Sequence, residues 1–231
     1  MSLSDEIQEA VTDIFKKQWT ARDGNVIPES ENLRLGNDAV KIDGTVLYAD
    51  LSESTGLVDS FAATFAAEVY KSYLYSAAKI IRSEGGAITA YDGDRIMAVF
   101  IGNTKNTSAA RAALKVNYAV QYIINPTIQR QYPSRDYSLH QTVGIDSSEL
   151  FIARTGIRGA NDLVWVGRAA NYAAKLCTLP TTHPTRITSA VYNKLHESLK
   201  ISSKGDSMWE AVTWNPMGGI TIYRSTYWWR I

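Results

Sequence analysis

The amino-acid sequence predicts an α+β fold: a ferredoxin-like βαββαβ core with an antiparallel central sheet flanked by helices. Three observations predict it. Short apolar runs of strand character alternate with longer stretches of helical periodicity from residue 45 onward. Gly85-Gly86 closes the first long helical stretch, as glycine does where the chain must leave a helix. Asp92-Gly93 lies between two apolar runs, which signals a hairpin. The order is then strand, helix, strand, strand, helix, strand.

The elements follow along the chain. Ile7, Val11, Ile14, Phe15 and Trp19 recur at helical spacing over 4–21, with Ser4 as the N-cap. Residues 24–42 are polar and irregular and read as a surface linker. The chain thus divides into an N-terminal helix and linker, 1–42, and a main domain, 43–231. Thr45 to Ala49 is a buried strand ending at Asp50. Residues 57–84 form a long helix. Strands at 87–91 and 96–101 make the hairpin. A second helix spans 106–124 and stops at Asn125-Pro126. Strands follow at 138–146, 149–155 and 163–166, then helices at 168–178 and 189–199. Trp209 to Tyr227 reads as a final hairpin, and Trp228 and Trp229 as core-closing side chains.

Composition narrows the function classes. The chain has 231 residues, enough to bury a substantial core, and a normal globular hydrophobic share of 45%. A net charge of +1 lacks the basic excess of a nucleic-acid binder, so no nucleic-acid partner is expected. Cys177 is the one cysteine, which excludes an internal disulfide and reads as a packing residue. His140, His183 and His196 are scattered, which argues against zinc. No apolar run reaches membrane-spanning length and no signal peptide is visible, so a cytoplasmic location is expected.

Two carboxylates stand out by position. Asp50 ends the first core strand and Asp94 opens the third. Those strands are antiparallel neighbours in a βαββαβ sheet, so both carboxylates fall at one end of it. Close carboxylates repel unless a cation lies between them. Magnesium and manganese favour such oxygen ligands together with substrate phosphates. The pair therefore suits two ions clamping a displacement at phosphorus. Leu51, Ser52, Glu53, Ser54 and Thr55 then lead into a helix, where backbone N–H groups suit a triphosphate. Read alone, that loop is more often a plain helix cap, and Asp92-Gly93-Asp94 is as readily a plain turn.

At these residues the sequence resembles the class III nucleotide cyclases, the adenylate and guanylate cyclase catalytic domains. Val46 to Leu51 resembles their first metal strand. Gly85-Gly86 with Tyr91-Asp92-Gly93-Asp94-Arg95-Ile96 resembles their second. Val143-Gly144-Ile145-Asp146 and Gly167-Arg168-Ala169-Ala170-Asn171-Tyr172-Ala173-Ala174-Lys175 resemble two further motifs, and the likeness spans roughly 43–227. It implies class III extensions around the core and two Mg2+ or Mn2+ ions on Asp50, Asp94 and the Leu51 carbonyl. It also implies attack of the ribose 3′-hydroxyl on the α-phosphate. Asn171 would orient the ribose. Lys175 stands where the family has an arginine that steadies phosphate charge. Lysine keeps the charge without the planar fork, so Arg168 or Arg158 is a second source of it. The family pattern further implies a head-to-tail homodimer with sites at the interface.

The departures concern the base. Purine cyclases read it four residues before the second metal aspartate, where this chain has Ala90. They read it again three residues before the motif glycine, where it has Val164. Neither side chain can hydrogen-bond a purine edge. Together with Gly156 to Arg168, this resembles the pyrimidine cyclases of bacterial anti-phage defence. UTP or CTP is the implied substrate, UTP the preferred one, and a separate effector protein senses the cyclic product. Rival readings are a purine cyclase using other residues, a catalytically silent nucleotide-binding module and an RNA-binding ferredoxin-like domain. The last would need an aromatic ladder, and Arg95 to Ile101 offers only Phe100.

Overall fold

The computed structural model describes all 231 residues. Nine strands and seven helices follow one another as α1 (Leu3–Lys16), β1 (Thr20–Asp23), β2 (Asp38–Ser52), α2 (Ser54–Ser60), α3 (Ala63–Ser83), β3 (Ala87–Asp92), β4 (Arg95–Phe100), α4 (Lys105–Ala119), α5 (Asn125–Gln131), β5 (His140–Ile157), β6 (Ala160–Val166), α6 (Arg168–Cys177), β7 (Thr185–Thr188), α7 (Ser189–Tyr192), β8 (Glu210–Trp214) and β9 (Ile220–Ser225). One sheet takes the order β3-β4-β2-β5-β7-β9-β8, with β1 beside the start of β2 and β6 beside the end of β5. The expected core is present as β2-α3-β3-β4-α4-β5, with β2 and β4 antiparallel at its centre.

Several elements differ from the sequence expectations, each for a physical reason. The first helix ends at Lys16 and is capped by Ser2, which shares a capping box with Asp5. It stops early because the Asn37 amide donates to the carbonyls of Ile14 and Lys17, and the chain then pairs with β2 from Thr20. The stretch read as a linker contains the first residues of β2, whose Ala39, Val40 and Ile42 are buried. The helix expected at 57–84 breaks at Phe61-Ala62, where Phe61 turns into a ring cluster with Phe65 and Tyr137. Pro126 does not stop a helix. It occupies the first turn of α5, where no N–H is needed, after a π-helical turn at Val120–Ile124. The two strands expected around residues 138–155 are one continuous β5. The helix expected at 189–199 is α7 and a separate 3-10 turn at Glu197–Leu199, and β7 was not foreseen. Trp229 packs on the core, whereas Trp228 stays exposed against Tyr118 and Tyr122.

The sheet buries both faces. Leu47, Ala49 and Leu51 of β2 point toward α3 and α4, in a core with Phe65, Tyr73, Phe100 and Leu114. Val46 and Tyr48 point to the other face, with Met97, Leu150 and the alanines of α6. Alternation therefore directs Asp50 to the α6 side. Helix α6 lies very close to β5. A Cβ on Gly144 would sit 2.2 Å from the Ala173 carbonyl oxygen and 2.7 Å from the Leu176 Cβ. Gly144→Ala is expected to cost about 3 kcal/mol or more, because backbone cannot yield as a side-chain tip can. Urea denaturation measures it, and a loss under about 1 kcal/mol would contradict this packing. No helix is long and apolar enough to cross a membrane.

Candidate active site

Strand pairing assembles the site in rows. Asp50 pairs with Arg95 on β4, and Arg95 closes the hairpin against Asp92. The two-residue turn is Gly93-Asp94. Gly93 takes φ +60°, which a side chain would resist, and Asp94 follows beside Asp50. Two residues along, on the same face of the sheet, lies the row of Tyr48, Met97 and Ala90. Ala90 thus stands two rows from the aspartates, in line with the Tyr48 side chain.

The two carboxylates are in different states. Asp50 makes two long contacts of 3.4 Å with the Arg95 guanidinium. Burial raises its pKa above the usual carboxylate value, Arg95 opposes that shift, and Asp94 and Asp92 add to it. Asp94 keeps one carboxylate oxygen, Oδ2, buried with no hydrogen-bond partner, and Arg95 Nε, though 3.4 Å from Asp50 Oδ1, makes no hydrogen bond. A buried unpaired carboxylate oxygen is costly and calls for a cation. No group of three or more His, Cys, Asp or Glu side chains is arranged to hold a metal ion by itself. A pair of carboxylates that leaves coordination to backbone, water and phosphate is the donor set that hard divalent ions accept. The residues therefore fit such ions.

A cleft of about 460 Å3 opens at Asp50. Leu51 to Thr55 form one wall and Cys177 to Thr181 the other. Glu53 at the bend has φ +62°, the only positive φ on a residue other than glycine, and its side chain makes no cap to α2. Backbone strain of this kind collects where geometry serves function. Thr142, the β5 partner of Asp50, donates its hydroxyl to the Cys177 carbonyl, which ties the end of α6 to this wall. Cys177 is buried, with Sγ bonded to Tyr48 O and Gly144 N. Burial pushes its thiol far up, so it packs as expected and is no nucleophile.

The other predicted residues are placed differently. Asn171 and Lys175 stand one turn apart on the exposed side of α6, opposite its buried Ala169, Ala173 and Leu176. Lys175 Nζ reaches only Met217 Sδ, at 3.4 Å. Arg168 is engaged: its guanidinium binds both oxygens of Asp146 at 2.9 and 3.3 Å and the Ser147 carbonyl at 2.8 Å. Val164 pairs with Ala153, which pairs with Ala39. Ala39 is eleven residues along β2 from Asp50, about 36 Å at strand rise. One chain therefore gathers Asp50, Asp94, Leu51 to Thr55 and Ala90 at one end of the sheet; Val164 lies far along it, Arg168 is held by Asp146, and Lys175 turns to Met217.

The chain is 54% identical to a uridylate cyclase of Xanthomonas perforans and 51% to one of Burkholderia cepacia, over the full length of each. It belongs to the uridylate cyclase branch of the class III nucleotide cyclases. No protein-family profile matches it. Among solved structures, the guanylyl cyclase Cya2 superposes with a TM-score of 0.69 at 17% identity, over 82% of this chain and 94% of that one. The adenylyl cyclase CyaB from P. aeruginosa gives 0.62 at 20% identity, over 81% and 95%. Those two likenesses carry the fold.

As a nucleotide cyclase, the chain has features that sequence reading missed. Arg95 had no assigned role, yet it is the cation on Asp50. Asp146 was read only as part of a motif, yet it anchors the start of α6 through Arg168 and the end of β7 through Thr188. Tyr48 was read as a strand residue, yet it shares the row of Ala90. Its position two residues before Asp50, on the same strand face, was the available signal.

Proposed function

We propose that this cyclase converts UTP to 3′,5′-cyclic UMP and pyrophosphate. The ribose 3′-oxygen forms a bond to the α-phosphorus, the bond to the β-phosphate oxygen breaks, and the 3′-hydroxyl proton passes to water. The observation that carries the reading is the paired strand-end site: Asp50 beside Asp94, with the orphaned Oδ2, at the mouth of a cleft. Two Mg2+ or Mn2+ ions on Asp50, Asp94 and the Leu51 carbonyl would neutralise phosphate charge and acidify the 3′-hydroxyl.

The chain's own groups do the rest. The backbone from Ser52 to Thr55 receives the phosphates. Asn171 and Lys175 come from a second copy, Asn171 orienting the ribose and Lys175 steadying phosphate charge. Their exposure on α6, and the distance of Val164 along the sheet, support a composite site in a homodimer. UTP is supported by the names of the relatives at 54% and 51% identity and by the apolar Ala90 and Val164. Tyr48, in the row of Ala90, and Arg95, on the same face two rows on, are the hydrogen-bonding groups between Ala90 and the aspartates, and we assign them the uracil edge. Burial raises the Tyr48 pKa further above its ordinary value against the opposing pull of Arg95, so the hydroxyl stays protonated, hence a donor. The cyclic product would serve as a second messenger for a separate effector protein in anti-phage defence.

Two measurements test this. Incubation with each of the four NTPs and Mn2+, read by mass spectrometry, is expected to yield cyclic UMP as the main product. Cyclic AMP or cyclic GMP alone would refute the substrate, and cyclic CMP would move it to CTP. Asp50→Ala and Asn171→Ala are each expected to be inactive. Mixed in equal amounts, they should recover about one quarter of wild-type activity, since half the dimers are hybrid with one intact site of two. No recovery among exchanging dimers would place the whole site in one chain.

A further inference from the structure

We infer that a second cavity, beside the π-helical turn, binds an uncharged ligand of nucleoside size that presents a planar amide or imide edge. The cavity holds about 360 Å3 and is lined by Val120, Gln121, His140, Gln141, Thr181 and Pro184, among others. Gln141 is 2% exposed, and neither its Oε1 nor its Nε2 has a hydrogen-bond partner. Native proteins rarely bury a whole amide unsatisfied, because each lost bond costs about 1–3 kcal/mol. Thr185, next to Pro184 and paired with Val143 two residues from Gln141, is fully buried, and its hydroxyl also lacks a partner. Three polar atoms on adjacent strands thus go unsatisfied beside one cavity.

The other amides nearby are committed. Asn117 holds the carbonyls of Thr226 and Tyr227, and Asn125 exchanges two bonds with Leu139. The Gln141 deficit is therefore not shared by its neighbours. A π-helical turn bordering a cavity is a recurrent mark of a functional site.

The chemistry selects the ligand. A glutamine amide offers a donor and an acceptor in one plane, and its complement is another planar donor–acceptor edge. No Asp, Glu, Lys or Arg lines the cavity and His140 is its one titratable side chain, so it carries no permanent charge to hold a phosphate or carboxylate. Val120, Leu139 and Pro184 supply apolar walls for a ring, and the volume lies in the range of small-molecule pockets. Gln141 pairs with Leu51, His140 pairs with Ser52, and Thr181 lines both this cavity and the catalytic cleft. A ligand here acts on the wall of the active site without entering it.

Uridine, cytidine, adenosine and guanosine, titrated separately into the full chain by calorimetry, test the inference. At least one is expected to bind. Its affinity should persist within about twofold in Asp50→Ala, which disables the catalytic site, and fall about tenfold or more in Gln141→Leu. Gln121→Ala, an exposed change at the cavity mouth, should weaken it about threefold. No nucleoside binding means that the cavity holds water alone and overturns the inference. So does binding unchanged in both glutamine variants, or binding lost in Asp50→Ala. Should Gln141→Leu fail to fold, Gln121→Ala decides. None of these outcomes depends on UTP being the substrate.

Discussion

Asp50→Asn and Asp94→Asn are each expected to lower cyclisation by about 10³-fold or more while leaving the fold as stable as before. The activity loss follows from removing a charge that the reaction needs at a preorganised site, where single groups contribute on this scale. The preserved stability follows from the cost of that charge at rest. Burial disfavours the ionised form of Asp50, and two further carboxylates repel it. Asparagine has nearly the same shape without that penalty. Asp94 has an oxygen that nothing in the chain satisfies. Activity assays with Mn2+ in excess, paired with thermal melts, check both halves. A variant keeping a tenth of the activity, or one that melts well below wild type, would mean that these aspartates hold the fold rather than the substrate.

The second large effect lies at Arg168. Asp146 is completely buried, while Arg168 is 48% exposed. The two ends of this ion pair are therefore unequal. Asp146→Asn leaves an arginine that water can reach, and it should cost about 1–2 kcal/mol in lost charge-assisted bonds. Arg168→Met strands a carboxylate in the interior with only Thr188 and should cost about 3 kcal/mol or more. Denaturant titration of both single variants and the double variant gives the coupling. If Arg168→Met proves nearly neutral in stability but severe in activity, Arg168 serves the substrate instead.

Much of this was legible in the sequence, and for a local reason. The βαββαβ core announced itself through periodicity and glycine punctuation: Gly85 takes φ +82° after α3 and Gly93 takes φ +60° in the hairpin, as their positions implied. Asp50 and Asp94 could be paired because strand ends in that topology are predictable. Elements whose identity depends on partners were misread. Ala39 to Ile42 looks like linker until β5 lies beside it, β7 is a four-residue strand, and Pro126 looks like a stop although a helix start accepts it. The site failed to read out in the same way. Arg95 on Asp50 joins positions 45 residues apart, and Arg168 on Asp146 joins positions 22 apart. No spacing rule links such residues before the chain is folded.

The long pairing of β2 with β5 has a consequence for how the molecule can rearrange. The two strands run in one register from Ala39–Ala153 to Ser52–His140, with no interruption. One end carries Asp50, and the other carries the hairpin arm with Val164. A shift by a single residue would turn every side chain on both halves to the wrong face. Slippage of the arm is therefore locked to slippage of the Asp50 end, and the reverse holds as well. Any partner that clamps the arm also holds the register in which Asp50 sits.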